Sequence, residues 1–172
     1  MERVGKLDNF CKNREYMNIV SDILDNDKFL KLENYKHHGI NRLEHSIRVS
    51  YYSYLVAKKL RLNYEETARG GLLHDFFINE DIEPKKQKLS IVFHPYSSLE
   101  NACSNFNLSD LEKDIIINHM FPTLPHKVPK YMESWLVSCV DKGVAVYELT
   151  HSFQRTFLYK FSKIYLVLLL FR

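Results

Sequence analysis

Six residues in this chain carry imidazole or carboxylate in an arrangement able to hold a metal: His45, the dipeptide His74-Asp75, His94, His119 and Asp141. Taken singly they say little. A lone inward-facing His is more often a packed, hydrogen-bonded residue than a ligand, and with eight His and nine Asp among 172 residues a single His-Asp dipeptide lies within chance. Asp141 is more telling. It interrupts the apolar run from Trp135 to Val146, where a buried carboxylate without a partner is costly, so it calls for a cation. Imidazoles and carboxylates that converge from separate helices build divalent-metal sites in helical bundles. Without thiolates the set suits Fe, Mn, Zn or Co and does not choose among them. Lys142, directly after Asp141, and Arg48, one turn past His45, offer the positive charge that a phosphate would need, an ordinary surface charge being the alternative for each.

These residues need helices to position them, and the sequence supplies the start signals. Asn41-x-x-Glu44 and Asn63-x-x-Glu66 each read as an N-cap with an acid three residues on, predicting one helix to about Leu60 and a second to about Leu73, joined by a tight turn and packed antiparallel. His45 then sits one turn into the first helix on a face shared with Val49, Tyr52, Val56 and Leu60, and His74-Asp75 closes the second. Ser97-x-x-Glu100 and Ser109-x-x-Glu112 predict two more helices, the latter ending near Met120, with His94 in the loop before Pro95. Asn13 to Glu33 reads as one or two amphipathic helices with a break around Asn26. His37-His38-Gly39 and the charged stretch Asp81 to Lys88 read as loops, and Pro122, Pro125 and Pro129 mark a rigid connection before a long helix from Tyr131 to about Phe153.

Composition agrees with this picture. Lys and Arg exceed Asp and Glu by three, hydrophobic residues make up 45% and charged residues 26%, the balance of a folded globular chain. Five Gly and five Pro leave few turn-formers for a many-stranded barrel or sandwich. The pI near 8.6 comes from charges of both signs interleaved, which gives no basic stripe for duplex nucleic acid but suits an anionic small molecule. Three Cys without a CxxC pair argue against a disulfide framework or a thiolate zinc site, and the charged N-terminus has no signal-peptide core, so a cytoplasmic location is expected. The apolar stretch Ile164 to Phe171 is far shorter than the ~20 residues a membrane helix needs. It is expected to be a buried helix end or a contact between copies in a homo-oligomer, with no membrane partner.

The order His45, His74-Asp75, Asp141 resembles the HD-domain metal-dependent phosphohydrolase superfamily, and RLEHSIRVSYYSYLVAKKL followed by ARGGLLHDFF is similar to its signature helices over roughly residues 40–150. The resemblance implies an all-α, single-domain helical bundle over residues 1–172 with His45, His74, Asp75 and Asp141 holding one ion. In members with two metals, two His lie between the HD pair and the last Asp, so Asp75 would bridge to a second ion held by His94 and His119. It implies a hydrolase in which metal-activated water attacks a phosphoester or phosphoanhydride of a nucleotide-like substrate, with Asp75 at the reaction centre, and Lys142 and Arg48 are the cations expected there from their positions. Dinuclear members act on dinucleoside polyphosphates and cyclic dinucleotides, and the GYP motif of the cyclic-di-GMP enzymes is not found here. Two alternatives stand beside this expectation. One is a one-metal 5'-nucleotidase with His94 and His119 as bystanders, and the other is a non-catalytic HD module that binds metal or nucleotide.

Overall fold

The computed structural model describes residue 10 and residues 12–37, 40–78 and 90–170, with backbone alone for 36–37, 90–91 and 152–170. The described residues are predominantly helical: α1 (Arg14–Leu24), the short α2 (Asp27–Leu30) with a 3-10 turn over Lys31–Asn34, α3 (Arg42–Leu60), α4 (Tyr64–Leu73), α5 (Ser90–Asn105), α6 (Asp110–Asn118) and α7 (Met132–Leu170). A two-residue antiparallel ladder, β1 (Lys36–His37) with β2 (Ile40–Asn41), leads into α3. Residues Asp81 to Lys88 and the pair His38-Gly39, read as loops from sequence, lie outside the described residues. So do the side chains of the apolar Ile164 to Phe171 stretch. Among the described residues no helix is long and apolar enough to cross a membrane.

The caps read at Asn41, Asn63 and Ser109 are in place, whereas Ser97 lies inside a helix. Asn13, Asn26, Asn41 and Asn63 each accept a backbone N–H from three residues on, and Ser109 with Glu112 closes a reciprocal capping box. α3 stops at Arg61, whose φ of 60° lets the Leu62 N–H reach the Ala57 carbonyl at 2.9 Å and turns the chain back toward Asn63. α4 then returns along α3. On α3, Ser46, Ser50, Ser53 and Ala57 share one helix face and are buried, and Gly71 of α4 approaches so closely that a Cβ there would lie 3.3 Å from the Cα of Ser50. Ser50 fastens the contact, receiving the Tyr16 hydroxyl at 2.9 Å and donating to the Ala68 carbonyl at 2.6 Å.

This face corrects one expectation. His45 and Val49 are fully buried, but Tyr52, Val56 and Leu60 beyond them are exposed, because the small-residue face lets α4 come close and so takes the packing surface. Periodicity marks large apolar residues and misses a face built from serines. Two further boundaries differ. α5 begins at Ser90 instead of Ser97, so His94 is a helical residue; Pro95 lies in the second turn, where its missing N–H removes a single ladder bond near the helix start. α7 continues past Phe153 to Leu170.

Apolar packing flanks the polar middle of the bundle on two sides. Tyr16, Val20, Ile23, Phe29, Leu32, Leu72 and Phe76 form one cluster, and Val49, Leu111, Ile115, Val137 and Val144 form another between α3, α6 and α7. Each fully buried side chain of this kind contributes roughly 1.5–3 kcal/mol.

Candidate metal centre

His74 occupies the C-cap of α4 and His119 the C-cap of α6, and each ring turns back on its own helix. Nδ1 of His74 donates to the Gly71 carbonyl and Nδ1 of His119 to the Ile116 carbonyl, both at 2.8 Å and both three residues back. Helix ends leave carbonyls without an intrahelical donor, so an imidazole at the cap satisfies one and in return is fixed with its proton on Nδ1. The lone pair of Nε2 then points away from the helix into the bundle. Its place in His74 is unusual: Nε2 is buried without a hydrogen-bond partner.

What surrounds that nitrogen is acid. Nε2 of His74 lies 3.6 Å from Oδ1 of Asp141 and 3.9 Å from Oδ2 of Asp75. His45 comes in from α3 with Nε2 3.0 Å from the same Asp141 oxygen. On the other side, Nε2 of His94 and Nε2 of His119 are 2.9 Å apart and lie 3.4 and 3.7 Å from Oδ1 of Asp75. The two carboxylate oxygens of Asp75 thus face different groups, Oδ2 toward His74 and Oδ1 toward His94 and His119. All six residues are buried.

They form two trios whose ligand atoms lie within 4.8 Å of one another, His45, His74 and Asp141 in one and Asp75, His94 and His119 in the other. Each trio is able to hold a metal ion. Bonds of about 2.0–2.2 Å at right angles put neighbouring donors roughly 3 Å apart, the separation seen between several of these atoms. The donor set fits as well. Imidazole nitrogen and carboxylate oxygen are the ligands of divalent transition metals, and the rings of His45, His74 and His119 are each oriented by a hydrogen bond at Nδ1. The partnerless Nε2 of His74 is a buried lone pair that such an ion would satisfy.

Protonation follows from burial and from these neighbours. Burial opposes charge on His45, but its hydrogen bonds to Asp141 and Glu148 outweigh that and push it up to about 9. Burial dominates at His119, with His74 and His94 adding repulsion, and lowers it to about 3, so its ring stays neutral. Asp141 is held well below the usual carboxylate range: burial raises it, and the hydrogen bond from His45, with His74 and Lys142 close by, wins.

The two cations expected near phosphate are placed differently. Lys142 stands at the rim, a third exposed, 3.1 Å from Oδ2 of Asp141 and donating to the His119 carbonyl. Arg48 has its contacts on carboxylates, Nη2 with Glu44 and Nη1 with Glu148 at 3.4 Å. His126 and His151 are exposed. Tyr54 is buried and packs edge-on against Tyr64.

Two residues escaped the sequence reading. Glu148 lies two turns beyond Asp141 on the same face of α7, fully buried, with Oε2 2.8 Å from Nδ1 of His45. The seven-residue spacing was the available signal. Arg42 opens α3, stacks on the Phe77 ring at 3.7 Å and donates to the Phe77 carbonyl at 2.6 Å, tying the segment after His74-Asp75 to the helix that carries His45.

Set against protein-family models, curated proteins and solved structures, the chain matches none. The geometry is therefore what any functional reading must rest on.

Proposed function

We propose that this chain is an HD-type metal-dependent phosphohydrolase that cleaves a phosphoester or phosphoanhydride of a nucleotide-like substrate at a dinuclear centre. One observation carries the reading. Asp75 presents Oδ2 to the first trio and Oδ1 to the second, the disposition a bridging carboxylate needs, and the trios contain all six residues that the resemblance singles out.

His45, His74 and Asp141 would hold one ion, His94 and His119 the other, with Asp75 shared. A pair of divalent ions, when bound, lowers the pKa of water and polarises a phosphoryl oxygen. The protein's own contribution is orientation and charge. The cap contacts of His74 and His119 fix which nitrogen faces inward, so no rotamer has to be found when the ligand arrives. Lys142, at the rim, supplies positive charge for the phosphoryl group and is held there by Asp141 and the His119 carbonyl. Ser138 lies within hydrogen-bond reach of the His119 carbonyl at 2.9 Å, so α7 supports the cap from a second side. No nucleophilic side chain is required by this scheme. Exposed Cys103 and Cys139, both unpaired, suit a reducing compartment, and we place the enzyme in the cytoplasm.

The test is phosphate release from a panel of nucleotides and dinucleoside polyphosphates by the purified chain, with Mn²⁺ or Fe²⁺ and again in EDTA. Hydrolysis that needs metal is the expected outcome. Tight metal binding with no turnover across the panel would favour the non-catalytic module.

A further inference from the structure

We propose that Glu148 is a positioning residue for the first ion: with Arg48 and Glu44 behind it, it fixes the His45 ring so that Nε2 is presented to the metal. The inference rests on the metal-site reading above and goes beyond it, because Glu148 belongs to neither trio.

The geometry is a continuous chain of charged groups. Oε2 of Glu148 lies 2.8 Å from Nδ1 of His45, on the side of the ring opposite Asp141. Its other oxygen, Oε1, lies 3.4 Å from Nη1 of Arg48, and Arg48 reaches on to Glu44 one turn earlier on α3. The Glu148 side chain is wholly removed from solvent. A carboxylate buried that deeply is costly unless each oxygen is engaged, and here one oxygen takes the imidazole and the other the guanidinium.

The two cap histidines obtain their orientation from their own helix carbonyls. His45 cannot. It lies one turn into α3, where the backbone carbonyls are committed to the helix ladder, so its Nδ1 proton needs an acceptor from elsewhere. Glu148 on α7 is that acceptor. An ionised acceptor also makes the opposite nitrogen a better donor to a metal, and loss of such a partner typically weakens metal binding 10–100-fold. Arg48 thereby acquires a role other than phosphate contact, since both of its recorded contacts are carboxylates.

The experiment titrates Mn²⁺ into full-length wild type, Glu148→Ala and Glu148→Gln by calorimetry, with Mn²⁺ resonance spectra to count sites and circular dichroism to verify folding. Glu148→Ala should lose about 10–100-fold in affinity at one site while the other is unchanged. Glu148→Gln, isosteric and still able to accept from Nδ1 but uncharged, should lose less, about three- to tenfold at that same site. A general loosening of the bundle would weaken both sites together and would overturn the proposal, as would unchanged affinity in Glu148→Ala. Should Glu148→Ala fail to fold, Glu148→Gln decides: wild-type affinity at both sites overturns it. Wild type that binds no Mn²⁺ is a different failure, since it removes the metal-site reading and this inference with it.

Discussion

Nε2 of His94 on α5 and Nε2 of His119 at the end of α6 face each other at 2.9 Å. His119 is held neutral with its proton on Nδ1, so its Nε2 offers a lone pair across this gap. With Oδ1 of Asp75 beyond both, the gap is built for a cation. Purified protein should therefore carry about two ions per chain, and His94→Ala or His119→Ala should lower this to about one while the ion of the first trio stays bound. Elemental analysis after desalting reads the number directly. A wild type that saturates at one ion would make the site mononuclear and bring the nucleotidase forward.

Asp75 is the residue whose loss should be felt by both ions. Replacing it with Ala removes the one carboxylate among the described residues whose two oxygens face the two trios, so metal content should fall at both sites and hydrolysis should drop by several orders of magnitude. Asp141→Ala should spare the second ion. If Asp75→Ala keeps wild-type turnover, metal-assisted hydrolysis is the wrong chemistry.

The comparison of these two variants depends on a site whose outline was visible in the sequence and whose supports were not. His45, His74, Asp75 and Asp141 could be picked out because ligand type and an acid in an apolar run are local signals. Capping residues are local too, which is why Asn41, Asn63 and Ser109 start their helices as read. Glu148 and Arg42 act through contacts with residues 103 and 35 positions away, and nothing short of packing brings such partners together. The serine face of α3 was missed for another reason: a close helix contact selects small side chains, and small polar side chains read as surface. Pro95 concealed the start of α5, since a proline in a second turn costs one hydrogen bond yet reads as a stop.

The close contact can be tested at Gly70, which sits on α4 against α6. A Cβ there would lie 2.8 Å from Cδ1 and 3.0 Å from Cβ of Ile115, and the second of these atoms belongs to a branched, fully buried side chain with no room to withdraw. Gly70→Ala should gain up to about 1 kcal/mol of helix propensity and lose about 1–3 kcal/mol to overpacking, a net loss. Chemical denaturation measures it. Ile115→Val in the same background should recover little, because it leaves the crowding Cβ in place; a Gly70→Ala protein as stable as wild type would show that α4 and α6 can separate.

The last prediction concerns pH and the metal-free protein. Burial works against a charged His45, but the carboxylates of Asp141 and Glu148 on either side of the ring overcome it and hold its pKa up at about 9. In the unfolded chain the same group titrates near 6.5. A group whose folded pKa is raised stabilises the fold fully below the unfolded value and loses that contribution as pH rises through the folded one. The metal-free protein should therefore become less stable between about pH 6.5 and pH 9, by an amount on the order of 3 kcal/mol if His45 alone titrates. Metal cancels this dependence. An ion at Nε2 takes the place of the proton, so binding at neutral pH must release it, and affinity should climb by up to about tenfold per pH unit until about pH 9. Urea midpoints in EDTA at pH 6.5, 8 and 9.5, set beside those with Mn²⁺, separate the two behaviours. Without metal the midpoint should fall across this window, and with metal the fall should be reduced or abolished. A metal-free midpoint that holds steady or rises from pH 6.5 to 9.5 would mean that His45 is not charged between its two acids.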